Sequence, residues 1–234
     1  MPSGDDRPPA DRLRAGPHVF VDDLDAPVLA EGDEHHLRRV LRRRDGDPLT
    51  ASDGRGRWRP LRLGATLEPD GPIVDRPVIG PPLTVGVALP KGDRPEWLVQ
   101  KLTELGIDRI VVLAAERSVV RWDGERAARH LDRLRRVGRE AAMQSRRCTL
   151  PELTGPVAPS ALAGDGVGVA EPGGAPLDAA TTGMLIGPEG GWTAEERTGM
   201  GPAVGLGGSI LRTETAAVAA AVLLVDRHRG PGGW

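Results

Sequence analysis

Two glycine-bearing loops late in the chain carry the residues best suited to chemistry. The first is Ile186–Trp192, IGPEGGW, in which a proline and consecutive glycines surround the lone carboxylate Glu189. The second is Leu206–Arg212, LGGSILR, which leads into TETAA and sets Arg212 close to Glu214. Glycine lets a backbone approach another backbone, or a ligand, with no Cβ in the way. Side by side, two such loops offer N–H and C=O groups to a heteroaromatic edge such as adenine. They suit a phosphate less well, because neither contains a lysine. Glu189 has three candidate tasks: orienting its loop, reaching a ligand, or capping local N–H groups.

Other standard chemistries are absent from the sequence. There is no G-x-x-x-x-G-K-[ST] phosphate loop, no G-x-G-x-x-G opening a helix after the first strand, and no G-x-S-x-G. One cysteine and five scattered histidines give no metal-ligand spacing, so no metal is expected. His35 and His36 are adjacent and point apart on a helix, which suits a surface or packing pair.

The loops need strands to carry them, and the chain supplies these from residue 83 onward. LTVGVAL (83–89), RIVVLAA (109–115), GVGVAE (166–171) and GMLIGPE (183–189) read as strands, with GGSILR (207–212) as the last. Between them fall helices at 93–106, with Asp93 as N-cap, and at 124–145, with Ala127, Leu131, Leu134, Gly138 and Ala141 on one stripe. Thr193 and Glu196 form a capping box, and an alanine-rich helix closes the chain at 213–228. Buried strands alternating with helices predict an α/β domain with a mostly parallel sheet, whose ligands bind at the C-terminal strand edge. Residues 18–75 look different, with a short helix at 32–41 (Leu37, Val40 and Leu41 at helical spacing) and a hairpin signal at Asp53-Gly54. The expected division is a flexible leader at 1–16, a small β domain at 17–77 and the α/β domain at 78–234.

The formal net charge of −2 conceals a local imbalance. Between Arg38 and Arg62 stand nine arginines against three acidic residues. Such a concentration on a near-neutral protein points to a polyanion. Arginine supplies nearly all positive charge, lysine occurring only at 91 and 101, so the skew is partly compositional. Tyrosine is absent, Phe20 is the only phenylalanine, and Trp58 is the one aromatic in the basic stretch. RNA recognition would then rest on phosphate contact and shape rather than on stacking. The single cysteine, Cys148, suits a reducing compartment; with no signal-peptide core and no membrane-length apolar run, a cytoplasmic protein is expected.

Several segments together resemble one family. HHLRRVLRRRDGD (35–47), LPKGDRPEWLVQKLTELGIDRIVVL (89–113), ERSVV (116–120), REAAMQSRR (139–147), IGPEGGWTAEE (186–196) and LGGSILRTETAAVAA (206–220) are similar, in this order, to the RsmE family of 16S ribosomal RNA methyltransferases, within the SPOUT superfamily. The family usually has an acidic residue where Met143 stands and glycine where Arg146 stands. The resemblance implies an α/β, SPOUT-type, mostly parallel sheet with a C-terminal trefoil knot, preceded by a small PUA-like β-barrel. It implies S-adenosyl-L-methionine as cofactor, N3 of a 16S rRNA uridine in the small ribosomal subunit as target, and a homodimer. The cofactor-binding set it implies is Leu185, Ile186, Gly187, Pro188, Glu189, Gly190 and Gly191, with Leu206, Gly207, Ile210, Leu211, Arg212, Thr215 and Ala216.

Methyl transfer from a sulfonium is an in-line displacement in which orientation supplies much of the rate. Uridine N3 bears a proton at neutral pH, which a carboxylate can accept, while an arginine stabilises the charge spreading onto O2 and O4. Arg212, Glu214 and Glu189 are the catalytic candidates. The RNA-contact candidates are Arg38, Arg39, Arg42, Arg43, Arg57, Arg94, Arg139 and Gln144, with Arg117 and Arg121 continuing the track. Three alternatives stay open: another SPOUT RNA methyltransferase, an RNA-binding ribosome-assembly module with a vestigial cofactor site, and a different nucleotide-binding α/β enzyme.

Overall fold

The computed structural model describes residues 12–230. Most of the expected leader, residues 1–11, lies outside the described residues. The remainder is docked: Leu13 is buried beside Trp58 and Cys148, and the Arg12 guanidinium donates to the Asp70 carbonyl. The chain divides into two compact units, one comprising the residues up to Val78 together with Ala142–Leu150, the other Ile79–Ala141 and the residues from Pro151 on.

The N-terminal unit holds a five-stranded sheet of β1 (His18–Phe20), β2 (Pro48–Ser52), β3 (Arg57–Arg62), β4 (Glu68–Pro69) and β5 (Val74–Asp75). β1 runs parallel to β2; β3 pairs antiparallel with β2, β4 and β5. The Asp53-Gly54 turn joins β2 to β3, with Gly54 at φ +73°. Val19, Leu49, Ala51 and Leu61 alternate inward from these strands and meet Leu24 and Leu37. Helix α1 (Glu31–His35) passes into a wider π turn, His36–Val40, in which the Leu41 N–H reaches back to the His36 carbonyl. That widening spoils the predicted helical face: Leu37 is buried, but Val40 and Leu41 are 59% and 42% exposed.

The segment Ala142–Leu150 returns to this unit. Ser52 Oγ donates to the Cys148 carbonyl at 2.8 Å, and Thr149 bridges to Arg55. The buried His18 imidazole sits between Thr50 Oγ1 (2.8 Å) and the Arg147 carbonyl (3.1 Å). Burial pushes its pKa down to about 4. Arg146 adopts φ +57°, a left-handed conformation that suits glycine.

The C-terminal unit is a six-stranded, wholly parallel sheet ordered β11-β9-β10-β6-β7-β8. Its strands are β6 (Thr84–Val87), β7 (Arg109–Leu113), β8 (Glu152–Val157), β9 (Val167–Ala175), β10 (Gly183–Ile186) and β11 (Ala203–Val204). Val85, Val87, Ile110, Met184 and Leu185 are fully buried, as central strands covered on both faces require. The helices are α2 (Arg94–Glu104), α3 (Gly124–Ser145), the single-turn α4 (Ala194–Arg197) and α5 (Thr213–Arg229). α2 buries Leu98 and Leu102, with Leu105 partly buried just beyond its end, and α3 buries the predicted stripe. α5 packs on α2, β6 and β10, and its Ala217, Ala220 and Ala221 have no exposed surface, so its small side chains permit close approach.

Three elements differ from the sequence reading. Residues 207–212 are a loop, not a strand: Gly207 sits at φ +139°, Ile210 is 88% exposed, and the last strand is instead Ala203–Val204. β8, residues 152–157, is a strand without a clear sequence pattern, because Gly155 and Pro156 interrupt it. Asp93 occupies the N-cap of α2 in a helical conformation, and its side chain makes no capping bond. The capping box at Thr193 and Glu196 is present in both directions, 3.2 and 3.0 Å.

Candidate active site

The two glycine loops converge at the C-terminal edge of the parallel sheet. The first leaves β10 at Gly187, and the second follows β11 and enters α5. The Thr213 hydroxyl ties them together by donating to the Gly187 carbonyl at 3.1 Å. Between them lies a cleft of about 300 Å³. Its walls include Ile186, Gly187, Pro188, Glu189 and Gly191 from the first loop, and Leu206, Gly207, Ile210, Leu211 and Ala216 from the second.

Four members of the expected cofactor set do not line the cleft: Leu185, Gly190, Arg212 and Thr215. Leu185 is fully buried among Val111, Leu113 and Val169, so it supports the sheet rather than the cavity. Gly190 faces Arg117, and a Cβ there would come within 3.2 Å of the Arg117 Cβ. Six further lining residues lie outside the expected cofactor set: Ala170, Glu171 and Pro172 in the middle of β9, with Trp192, Ser209 and Thr213. The β9 residues carry no glycine or motif signal; only sheet order, which sets β9 beside β10, brings them in.

The first loop is shaped from several sides. Gly191 takes φ +69° and its N–H donates to the Pro188 carbonyl, closing the turn. A Cβ on Gly187 would lie 2.9 Å from the Trp192 ring, so glycine admits the indole against the loop. The Arg117 guanidinium donates to the Gly190 and Trp192 carbonyls at 3.0 and 3.3 Å. Expected to extend an RNA track, Arg117 instead clamps this loop. Glu196 accepts from the Glu116 N–H at 2.8 Å, which ties the residue before Arg117 to α4.

The charged groups beside the cleft form a small network. Arg94 Nη1 lies 3.2 Å from Glu214 Oε1 and 3.9 Å from Glu189 Oε1. Arg94, named as an RNA contact, thus bridges two of the three catalytic candidates. Glu214 is largely buried, and its second oxygen, Oε2, has no hydrogen-bond partner among the described residues. A buried, unmet carboxylate oxygen invites a donor from a ligand. Arg212, the residue before α5, is exposed and makes no side-chain hydrogen bond or ion pair among the described residues. Glu171 lines the cleft and pairs with Arg197 at 3.0 Å. Among the described residues no group of three His, Cys, Asp or Glu side chains could hold a metal, and no helix is long and apolar enough to cross a membrane.

In the N-terminal unit the basic residues fall into two groups. Arg38 is committed to Glu34 and Asp45 at 3.1 and 2.9 Å and to the Gly64 carbonyl, and Arg57 to Asp53 at 2.8 Å. Arg39 and Arg42 are exposed, while Arg43 is partly buried and its Nε has no hydrogen-bond partner among the described residues. Trp58 is 2% exposed, so it is a core residue. Gln144 is exposed and Arg139 partly buried, both on α3.

A parallel sheet with a glycine-lined cleft at its C-terminal edge, closed by backbone rather than by lysine, is the arrangement of an α/β protein that binds a nucleoside-type ligand. Residues 79–225 match the family model described as "RNA methyltransferase domain". The chain is 34% identical over 226 residues to the ribosomal RNA small subunit methyltransferase E of Mycobacterium tuberculosis, covering 85% of this chain and 86% of that protein. The crystal structure of ribosomal RNA small subunit methyltransferase E from Neisseria gonorrhoeae bound to S-adenosyl methionine superposes with a TM-score of 0.75 at 25% identity, covering 89% of this chain and 96% of that one. A methyltransferase from Legionella pneumophila, in complex with the same cofactor, gives 0.76 at 26% identity, covering 89% and 96%. This chain belongs to the RsmE family of ribosomal RNA small subunit methyltransferases.

Proposed function

We propose that this protein transfers a methyl group from S-adenosylmethionine to N3 of a uridine in 16S rRNA, with the cleft between residues 186–192 and 206–216 holding the cofactor. The observation that carries this reading is the conjunction at one sheet edge of a glycine-lined, partly apolar cleft and a buried carboxylate with one unmet oxygen. Relatives solved with the cofactor share the fold. The residues fit such a cofactor: backbone groups of Gly187 and Leu206–Gly207 would be available to its heteroaromatic part, and Leu211, Ile186 and Trp192 would supply apolar walls. When bound, the sulfonium supplies the electrophilic methyl group.

The protein's own groups then have distinct tasks. Glu214 Oε2 is the acceptor for the uridine N3 proton, and Arg94 holds the opposite oxygen in place. Arg212 places its guanidinium, which has no partner among the described residues, where charge grows on uridine O2 and O4. Glu189 steadies Arg94 from the loop side. The C-terminal trefoil knot, the PUA-like barrel nature of the N-terminal sheet, the homodimer and the cytoplasmic location belong to the same proposal. Arg39 and Arg42, exposed and without an ion pair among the described residues, are its foremost RNA contacts in the N-terminal unit, ahead of Arg38, Arg43 and Arg57; Arg139 and Gln144 on α3 complete the set.

The deciding experiment is methyl transfer to small ribosomal subunits lacking the modification, with the product nucleoside identified, beside calorimetry with S-adenosylmethionine. The expected product is N3-methyluridine. A different methylated nucleoside overturns the N3 assignment, and cofactor binding without any transfer overturns the enzyme reading.

A further inference from the structure

A second cavity in the C-terminal unit, about 460 Å³, is formed by residues 90–96 and 119–134 and shares no lining residue with the cofactor cleft. Five of its lining side chains are basic: Lys91, Arg121, Arg126, His130 and Arg133. Its only acid, Glu96, is already paired with Arg133 at 2.7 Å. Lys91 and Arg126 are exposed and have no ion pair among the described residues. Their charge is available to a ligand.

The same cavity holds an aromatic surface. The Trp122 indole and the His130 imidazole stack with centroids 4.5 Å apart and planes within 9°. Trp122 also borders an adjoining cavity of about 350 Å³, which Ser118 lines as well. The Ser118 hydroxyl is buried and has no hydrogen-bond partner among the described residues. Free cations, a planar stacking surface and an unmet hydroxyl therefore meet around one indole. An inorganic anion can use the cations and the hydroxyl but not the stacking surface; a nucleotide can use all three.

We propose that this cavity is a subsite for one nucleotide of the RNA strand, its phosphodiester held by Lys91 and Arg126 and its base stacked against the Trp122–His130 pair. The proposal rests on the RNA methyltransferase reading and extends it to a site apart from methyl transfer. Stacking is indifferent to base identity, so the subsite fixes the strand's position without reading its sequence. It also supplies the aromatic platform that the N-terminal basic stretch lacks, Trp58 being buried.

The test uses the full chain and a fluorescein-labelled single-stranded RNA oligonucleotide of mixed sequence. Replacing both Lys91→Gln and Arg126→Gln should raise the Kd at least about tenfold near 0.1 M salt. The slope of log K against log salt should fall by roughly 0.7, the value for one phosphate contact. Trp122→Leu should raise Kd about tenfold, and Trp122→Phe should recover most of the loss, because any aromatic face stacks. S-adenosylmethionine affinity should stay at the unsubstituted value in the Lys91/Arg126 variant, whose changes lie on exposed side chains. Variants that bind RNA like the unsubstituted protein overturn the subsite while leaving the methyltransferase reading intact. A changed oligomeric state with unchanged RNA affinity overturns it too, and assigns the surface to a second copy of the chain. An unsubstituted protein that binds no RNA removes the underlying reading along with it.

Discussion

The contact between Arg94 and Glu214 allows a quantitative test of the site. At 3.2 Å an isolated pair of unit charges in a surface-like medium of effective dielectric about 20 attracts by roughly 5 kcal/mol. Water reduces this, because 38% of the Arg94 side chain is exposed against 13% of Glu214. Fully exposed pairs are worth about 0.2–1 kcal/mol, and hydrogen bonds to charged groups about 1.5–3 kcal/mol. A one-sidedly buried pair belongs between them, at about 1.5 kcal/mol. Arg94→Gln, Glu214→Gln and the double variant form a cycle whose coupling in denaturant unfolding should come out near that value. The same cycle should be read in turnover. Arg94→Gln frees Glu214 from its fixed orientation, and a loss of about 1.4 kcal/mol in positioning lowers kcat about tenfold. Cofactor affinity, set mainly by the loop backbones, should change by less than about threefold. A coupling energy below about 0.3 kcal/mol together with unchanged kcat would refute both the pairing and the positioning role of Arg94.

Three further outcomes follow from local geometry. His18 has its pKa lowered to about 4 by burial, so the unfolded chain, at about 6.5, binds the proton more tightly. Its contribution to stability is complete above about pH 6.5, declines as pH falls and is lost below about pH 4, about 3 kcal/mol in all; His18→Gln should flatten unfolding curves across that window. The lowered carboxyls of Asp53 and Asp178 act only below their ordinary 3.8, which separates the two effects. Arg146 stands at φ +57° and donates to the Leu13 carbonyl at 2.9 Å; Arg146→Gly should unfold about 1 kcal/mol harder than Arg146→Ala, since only glycine relieves the left-handed strain. Gly187→Ala sets a methyl 2.9 Å from the Trp192 ring, and the displaced cleft wall should weaken S-adenosylmethionine binding about tenfold by calorimetry while the fold persists.

The sequence revealed the α/β unit through its runs of buried Val, Ile and Leu, because a strand covered on both faces has no polar alternation to hide it. It also disclosed the two loops, whose glycines mark backbone that must come close to something. What it did not disclose depends on three-dimensional neighbourhood. Residues 207–212 offer the adjacent Ile210 and Leu211 after a glycine pair, as a short strand would, yet among the described residues no strand pairs with them, and Ile210 ends up 88% exposed. Arg94 begins a helix ninety-odd residues before Glu189, and only the adjacency of α2 and α5 makes it a neighbour of Glu214. Ala170, Glu171 and Pro172 enter the cleft through the order of the strands. Arg146 could be flagged by the family's usual glycine, but its reason, the positive φ, is visible only in the backbone.

The catalytic role proposed for Arg212 rests on how the arginines around the cleft are held. A guanidinium already held by acceptors has its donors occupied and its charge partly neutralised, so it responds weakly when new charge develops nearby. Arg94 is held by Glu214 and Glu189, Arg117 by two loop carbonyls, and Arg197 by Glu171 and the Gly201 carbonyl. These three shape the walls. Arg212 alone of the four has no partner among the described residues, and it sits between Leu211 and Thr213, which both line the cleft. A charge without a ground-state partner can interact more strongly with the transition state than with the resting site, which is the condition for lowering a barrier. Arg212→Lys keeps the charge but loses the planar fork that spans two oxygens, so it should retain cofactor binding and still lose most turnover. Full activity in that variant would move the stabilising role to the loop N–H groups.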